Sequence, residues 1–348
     1  MNALRRDFDV VELDRGREVA WDDFVCAHPE GTFFHRAAWR GVIERSFGHP
    51  TYYLCVDRGG AIAGVLPLVH VRSRLFGDSL VSTAFCVYGG PLTIDPTVRA
   101  ALDARAEALA RDLGVDALIY RSRAPSRPDW AQQDQIYATF RKALDPDPER
   151  NLLAIPRKQR AVVRQAMRRG LDARTEESPD NQFDLYALSL RNLGTPGFPR
   201  RYFRELCRAF GGDCECLVVY HQGKPVSGVL SFYFRDEVLP YYGGGAPAAR
   251  ALGAADYMYW DLMRRAALRG LRIFDFGRSK VGTGAFAFKK NWGFTPQPLV
   301  YEYYLPRGGA IPELNPLNPK YRFIIELWKR LPLPLANTIG PRLSRSLG

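Results

Sequence analysis

The chain has 348 residues, room for two domains of ~150–180 residues each. Hydrophobic residues at 46% and charged residues at 25% are ordinary globular proportions, which excludes disordered and fibrous classes. Lysines and arginines number 49 against 37 acids, and the formal charge of +12 points to an anionic partner such as phosphate, nucleotide, RNA or a membrane headgroup.

Along the chain, the opening segment alternates like a strand and carries no apolar signal core. An apolar strand at 52–56 leads through the turn Gly59-Gly60 into the strand-like run Ala61–Val71. No apolar run approaches the ~18–20 residues a membrane helix needs. Val87-Tyr88-Gly89-Gly90 reads as a further strand. The run 98–113 places Leu102, Ala106, Leu109 and Leu113 on one helical face, stops at Gly114 and is followed by a short buried strand at 115–120.

The same order then repeats. A strand at 217–220 leads through Gln222-Gly223 to Val226–Leu230. Tyr241-Tyr242-Gly243-Gly244 matches Val87-Tyr88-Gly89-Gly90. A helix at 254–269 aligns Met258, Leu262 and Ala266, stops at Gly270 and precedes a strand at 271–276. Four features in register at an offset near ~155–165 residues indicate two copies of one β-β-β-α-β core. The expected fold is α/β (α+β), with two tandem domains of mixed sheet flanked by helices. The expected bounds are 1–150, 151–310 and a C-terminal tail at 311–348, with the break at Asp145–Asn151. The first copy holds an extra β-rich insertion, since Gly64 and Tyr88 stand 24 positions apart but Gly228 and Tyr242 only 14.

Cys26, Cys55, Cys86, Cys207, Cys214 and Cys216 form no zinc or thioredoxin spacing, and the histidines form no H-x-x-x-H pair, so no metal site is expected. The bland expectation is a reduced, soluble, cytoplasmic protein.

This strand–helix–strand organisation resembles the GCN5-related N-acetyltransferase (GNAT) fold, and two such domains in one chain resemble the Fem family of peptidoglycan aminoacyltransferases. Thr32-Phe33-Phe34-His35-Arg36-Ala37-Ala38-Trp39 is similar to that family's early F-x-Q/H…W segment. Arg160-Ala161-Val162-Val163-Arg164-Gln165-Ala166 is similar to the helix opening its second domain. Phe274-Asp275-Phe276-Gly277 with Phe288-Lys289-Lys290-Asn291-Trp292-Gly293-Phe294 resembles its D-F-G…F-K-x-x-F-G signature. The exosortase/PEP-CTERM-associated FemAB-related proteins resemble the chain almost end to end, including Arg191–Pro196 and Asn315–Tyr321. The chain lacks the long coiled-coil arm some Fem ligases insert. The resemblance implies an acyl- or aminoacyltransferase working on a cell-envelope or exopolysaccharide precursor. No permanent cofactor is implied, and acyl-CoA or aminoacyl-tRNA would be the co-substrate. The alternative is a non-catalytic scaffold of a polysaccharide export system.

Site candidates follow. Arg250-Ala251-Leu252-Gly253-Ala254-Ala255 opens the second helix and matches the acetyltransferase phosphate-loop pattern; small residues there let backbone amides meet a donor pyrophosphate. Asp275 is either a general base for an attacking amine or an ion-pair partner of Arg278 or a neighbouring helix. Arg278, Ser279 and Lys280 end the same strand and point to substrate binding. Lys289 is the candidate for stabilising an oxyanion, as the Fem signature implies, with Lys290 as fallback and Trp292 beside it. Of Tyr241 and Tyr242, which alternate across a strand, one faces the cleft and can donate to a leaving group. The helix expected at 156–171 carries Arg160, Arg164 and Arg168 in one stripe, a surface for RNA phosphates, a nucleotide-sugar diphosphate or a membrane, or simply a solvated face. His35 and Arg36 are acceptor-phosphate candidates through the Fem resemblance. In the tail, Phe323, Ile324, Leu327 and Trp328 oppose Lys320, Lys329 and Arg330, suiting either a membrane interface near a lipid-linked acceptor or docking on the protein's own surface. The expected partners are thus an anionic glycan or lipid-linked precursor, tRNA under the aminoacyl option, and the inner membrane peripherally, but not DNA.

Overall fold

The computed structural model describes residues 9–73, 77–311 and 322–346. The chain forms two compact units. One comprises Met1–Asp134, Leu299–Leu314 and Ser346–Gly348; the other comprises Gln135–Pro298 and Asn315–Arg345.

The first unit begins with β1 (Asp9–Glu12), α1 (Glu18–Ala27), α2 (Trp39–Phe47), β2 (Thr51–Arg58), β3 (Ala61–Ser73), β4 (Gly77–Ser82) and β5 (Leu92–Thr93). It continues through α3 (Pro96–Leu113), β6 (Ala117–Ser122) and β7 (Ala131–Gln133). The second unit runs through β8 (Tyr137–Thr139), β9 (Arg141–Ala143), α4 (Pro148–Ala154), α5 (Arg157–Met167), β10 (Leu171–Glu176), α6 (Asp180–Leu193) and α7 (Arg200–Phe210). Next come β11 (Cys214–His221), β12 (Lys224–Phe234), β13 (Glu237–Gly245), α8 (Ala248–Leu252), α9 (Ala254–Leu268) and β14 (Ile273–Asp275). It proceeds through β15 (Ser279–Lys280), α10 (Gly284–Asn291) and β16 (Gln297–Pro298). The chain then returns to the first unit as β17 (Val300–Tyr304), and α11 (Arg322–Lys329) and α12 (Leu333–Ser344) belong again to the second.

Of the three sheets among the described residues, β15-β8-β16 is small and the two larger ones repeat one plan. The first runs β1-β2-β3-β4-β6-β17-β7, with β5 attached to β3; the second runs β10-β11-β12-β13-β14-β9. In each a hairpin is followed by an antiparallel strand, then by a parallel neighbour reached through the long helix, β4 to β6 and β13 to β14. Each sheet then gains an antiparallel strand from elsewhere in the chain: β17 pairs β6, and β9 pairs β14. That reciprocal supply explains why the expected break at Asp145–Asn151 lies inside the second unit. Arg141–Ala143 is already part of the second sheet.

Local chemistry accounts for these elements. The first hairpin turns on Gly59 and Gly60, both at positive φ, and the second on Gln222 and Gly223. Helix α3 starts where the Asp95 carboxylate accepts from the backbone N–H of Thr97 and Val98 at 2.8 and 2.9 Å, with Pro96 next. It lays Val98, Leu102, Ala106 and Leu109 on its sheet. Helix α9 buries Met258, Leu262 and Ala266 in the other core.

Two expected elements differ. Tyr88-Gly89-Gly90 is not strand, because β4, not this segment, occupies the strand position beside β6. The helix expected to reach residue 171 ends at Met167, since Gly170 takes positive φ and Leu171 begins β10.

Candidate functional site

In the second unit the parallel strands β13 and β14 pair only at Glu237–Ile273 and Val238–Phe274, then part as β13 continues to Gly245. Tyr259 of α9 fills the wedge. Its hydroxyl lies 2.8 Å from where a Cβ on Gly243 would stand, and its ring is 4.9 Å from that of Phe276, just past β14. Phe288 and Trp292 extend this aromatic lining, with ring centroids 5.7 and 6.3 Å from Tyr259.

Lys289 reaches from α10 to the end of β14. Its Nζ donates to the carbonyls of Gly277 and Arg278 at 2.9 and 3.1 Å and lies over the rings of Phe140 and Phe276. Burial drives its pKa down to about 7; the Asp275 charge pulls it up and the Arg278 charge pushes it down. It therefore exchanges between ammonium and amine near neutrality. Lys290 is exposed, its Nζ over the Phe286 ring.

Asp275 is fully buried. Its carboxylate takes Arg141 of β9 at 2.8 Å, the Thr139 hydroxyl at 3.3 Å and the Gly277 amide at 2.7 Å. This is the ion-pair alternative, with Arg141 rather than Arg278 as the partner, and it displaces the general-base role. Arg141 also binds Glu237. The Arg278 guanidinium covers the Tyr137 ring at 4.5 Å. Ser279 is buried, and its hydroxyl has no partner among the described residues. Lys280 is half-buried, and burial lowers its pKa.

Tyr242 belongs to the core, not to a catalytic cleft. Its hydroxyl meets that of Tyr202 at 3.0 Å, Tyr186, Phe198 and Phe203 surround its ring, and burial raises its pKa well above the ordinary phenol value. Tyr241, half-buried, falls at the register shift between Leu230 and Ser231 and is skipped by the ladder. Trp292 is likewise core: it is wholly buried, and its indole N–H donates to Asp256 at 3.1 Å.

The expected phosphate turn is closed at its centre. Arg250 is exposed and Ala255 half-buried, but Gly253 and Ala254 are buried beneath α5. A Cβ on Gly253 would lie 3.2 Å from Ala166 and 3.5 Å from Val162, and its φ of +63° suits glycine. The first turn of α9 also carries its own carboxylate, Asp256, held by Gln159 and Trp292. An internal anion at a helix N-terminus satisfies the potential that would otherwise favour phosphate. On the outer side of α5, Arg157, Lys158, Arg164 and Arg168 are exposed and make no ion pair among the described residues, whereas Arg160 donates to the Leu153 carbonyl.

The first unit holds a cavity of about 130 Å³ lined by residues including His35, Tyr88, Gly90, Arg99, Arg123 and Ser126. His35 is a wall, not a cation. Its Nδ1 accepts from the Thr32 amide at 3.3 Å, which leaves Nε2 to donate to the Gly90 carbonyl at 3.1 Å. Burial lowers its pKa to about 3, with the Gly90 bond opposing and the Arg123 charge reinforcing the shift. Arg36 pairs with Asp22 at 3.4 Å and covers Phe33. The free cation is Arg123, over the Tyr88 ring at 5.4 Å and without an ion pair among the described residues. Buried Glu302 of β17 fixes the cavity's loop, accepting from the Ser126 amide at 2.6 Å, its hydroxyl at 2.7 Å, and the Arg127 amide.

Residues 157–290 match the family model described as an acetyltransferase (GNAT) domain. FemX is similar in structure at TM-score 0.68 and 16% identity, covering 91% of this chain and 100% of its own. A tandem GNAT protein from the clavulanic acid biosynthesis pathway is similar at TM-score 0.54 and 15% identity, covering 87% and 100%. This is the tandem GNAT fold. The C-terminal domain (DUF2156) of an Agrobacterium fabrum protein named as a lysylphosphatidylglycerol synthetase shares it at TM-score 0.55 and 15% identity, covering 85% and 93%. No curated protein matches the sequence.

Within this tandem GNAT fold the second unit gathers Lys289, Asp275, Arg278, Ser279 and the aromatic wedge around one strand end, and keeps Arg164 and Tyr242 away from it. Sequence reasoning missed Arg123, Glu302 and Arg141. Nothing in a lone arginine's surroundings along the chain reveals that a glutamate 176 positions beyond Ser126 will pin its loop. Among the described residues no group of side chains fits a metal ion, and no helix is long and apolar enough to cross a membrane. In the tail, Lys320 and Tyr321 lie outside the described residues, Trp328 is buried, and Leu327, Leu335 and Ile339 are exposed.

Proposed function

We propose that the protein transfers an acyl or aminoacyl group, by direct attack on a bound donor, to an amine or hydroxyl of an anionic cell-envelope precursor. The observation that carries this reading is Lys289, a cation half-buried in an aromatic setting at the end of a splayed β14, with its pKa lowered to about 7. Such a cation can stabilise a tetrahedral oxyanion far more effectively than one in water. The Arg123 cavity is suited to an anionic part of the acceptor. The resemblance to exosortase-associated FemAB-related proteins favours an exopolysaccharide precursor. Exposed Leu327, Leu335 and Ile339 beside Arg330 and Arg342 support peripheral contact with the inner membrane from the cytoplasm.

The covered Gly253–Ala254 amides and the Asp256 carboxylate favour aminoacyl-tRNA over acyl-CoA as donor, because an aminoacyl ester brings no pyrophosphate to that turn. Arg157 and Arg164 of α5, exposed and without an ion pair among the described residues, provide a surface for RNA phosphates. Titrating the protein with charged tRNA and with acetyl-CoA tests this. We expect tRNA binding that weakens steeply with salt. Binding of acetyl-CoA alone would reverse the donor assignment. Binding of neither donor would favour the non-catalytic scaffold, which the closed turn also suits.

A further inference from the structure

Three thiols meet in the second unit, away from Lys289. Cys207 sits in the last turn of α7, and Cys214 and Cys216 lie on one face of β11 by the period-two alternation of a strand. The Cys207 sulfur is 3.8 Å from that of Cys214 and 4.0 Å from that of Cys216. Cys207 and Cys214 are half-buried, so small oxidants can reach them; Cys216 is buried.

The geometry points to Cys207 as a redox-active thiol that closes a reversible disulfide with Cys214. Bond formation needs the sulfurs to approach by under ~2 Å from their present 3.8 Å. The connecting turn permits it: Gly211 takes a φ of +52°, and neither Gly211 nor Gly212 has any atom within 4 Å of where a Cβ would stand. Hydrogen bonding with the two neighbouring thiols also holds the Cys207 pKa below the usual thiol range and pushes those of its partners up. The attacking sulfur is thus the half-exposed one, already biased toward thiolate.

The chemistry balances with a hydroperoxide as the named oxidant. The Cys207 thiolate attacks the peroxide, its O–O bond breaks, and a sulfenic acid and an alcohol or water result. The Cys214 sulfur then displaces the sulfenic oxygen, the S–S bond forms, and water leaves with the thiol protons. Two electrons pass from the two sulfurs to the peroxide, and a dithiol reductant returns them.

The full-length chain is treated with hydrogen peroxide, denatured in a maleimide and mapped by mass spectrometry without reduction. The expected result is a peptide joining Cys207 to Cys214, with about two thiols lost, restored by dithiothreitol. Cys26→Ser and Cys216→Ser should retain the link, and Cys207→Ser should abolish it. If Cys207→Ser fails to fold, the map of the parent chain still decides. Cys207 found only as sulfinic or sulfonic acid, a bridge to Cys216 in its place, or all six thiols surviving would each overturn the assignment.

Discussion

Tyr88-Gly89-Gly90 in the first unit lies off the sheet and forms part of a cavity wall, whereas Tyr242-Gly243-Gly244 in the second is β-strand. There the Leu185 carbonyl stands 2.4 Å from where a Cβ on Gly244 would lie, and Tyr259 takes the opposite side at Gly243. The two units share a strand order, yet Gly89 of one copy lets the Thr83 and Ser82 hydroxyls approach at a cavity wall, whereas Gly244 of the other lets a helix backbone approach. The charges divide similarly. The first unit offers Arg123, a cation with no ion pair among the described residues, beside a cavity; the second holds Lys289 half-buried on the Gly277 and Arg278 carbonyls. A duplicated fold has kept its topology while its two sites diverged.

The sharpest way to break this contrast is Arg141→Ala. Asp275 is wholly buried and Arg141 is its ion-pair partner, so removal strips a buried carboxylate of that pair. Loss of one partner from such a pair costs about 3–5 kcal/mol, which denaturant unfolding should register in the second unit. An unchanged midpoint would mean that Asp275 is not held as described.

Next is Lys289→Ala. Transfer should fall ~10²–10³-fold with donor affinity little changed, because the interaction is made in the transition state. If the ammonium form does this work, the parent's rate should decline as pH rises through about 7, the value to which burial lowers this lysine. The stability consequence has the opposite sense. The folded pKa lies below the unfolded value, so above about 7 the unfolded chain binds more protons and this lysine makes the fold gain stability with rising pH. Lys289→Met should flatten that gain, measured as the difference from the parent. A pH-independent difference would overturn the desolvated-lysine assignment.

The glycines come third. Gly244→Ala meets backbone of α6, whereas Gly89→Ala meets chiefly the hydroxyls of Thr83 and Ser82. Overpacking of this kind costs about 1–3 kcal/mol, and the immovable backbone contact places Gly244→Ala at the upper end. Equal losses for both variants would erase the distinction between the two copies.

Much of this plan was legible in the chain. The hairpin glycines, the helix faces and the stops at Gly114 and Gly270 are local signals, and their recurrence revealed the duplication. Lys289 stood out in the chain through its motif, and the structure sets its Nζ on the Gly277 and Arg278 carbonyls. The exchange of β9 and β17 was not, because short strands such as Arg141–Ala143 acquire meaning only from partners 130 residues away. The phosphate turn misled for a related reason. Small residues ahead of a helix look alike whether an anion or another helix lies on them, and here Val162 and Ala166 of α5 lie on Gly253. His35 also looked like a cation, but burial makes it a neutral strut.

The smallest expected effect concerns Arg123. If the cavity of the first unit receives the acceptor's anionic group, Arg123→Ala should raise the acceptor KM about tenfold while leaving kcat nearly intact, the mark of binding shared by ground and transition states. The loop should keep its shape, because its amides are held by Glu302 rather than by Arg123. Arg123→Lys separates charge from geometry: the guanidinium's cover over Tyr88 is lost but the positive charge stays, so affinity should recover only in part. Rising salt should weaken the parent's acceptor binding more than that of Arg123→Ala. If both respond alike, the cavity's cation is not what the acceptor meets, and the division of labour between the two units has to be drawn elsewhere.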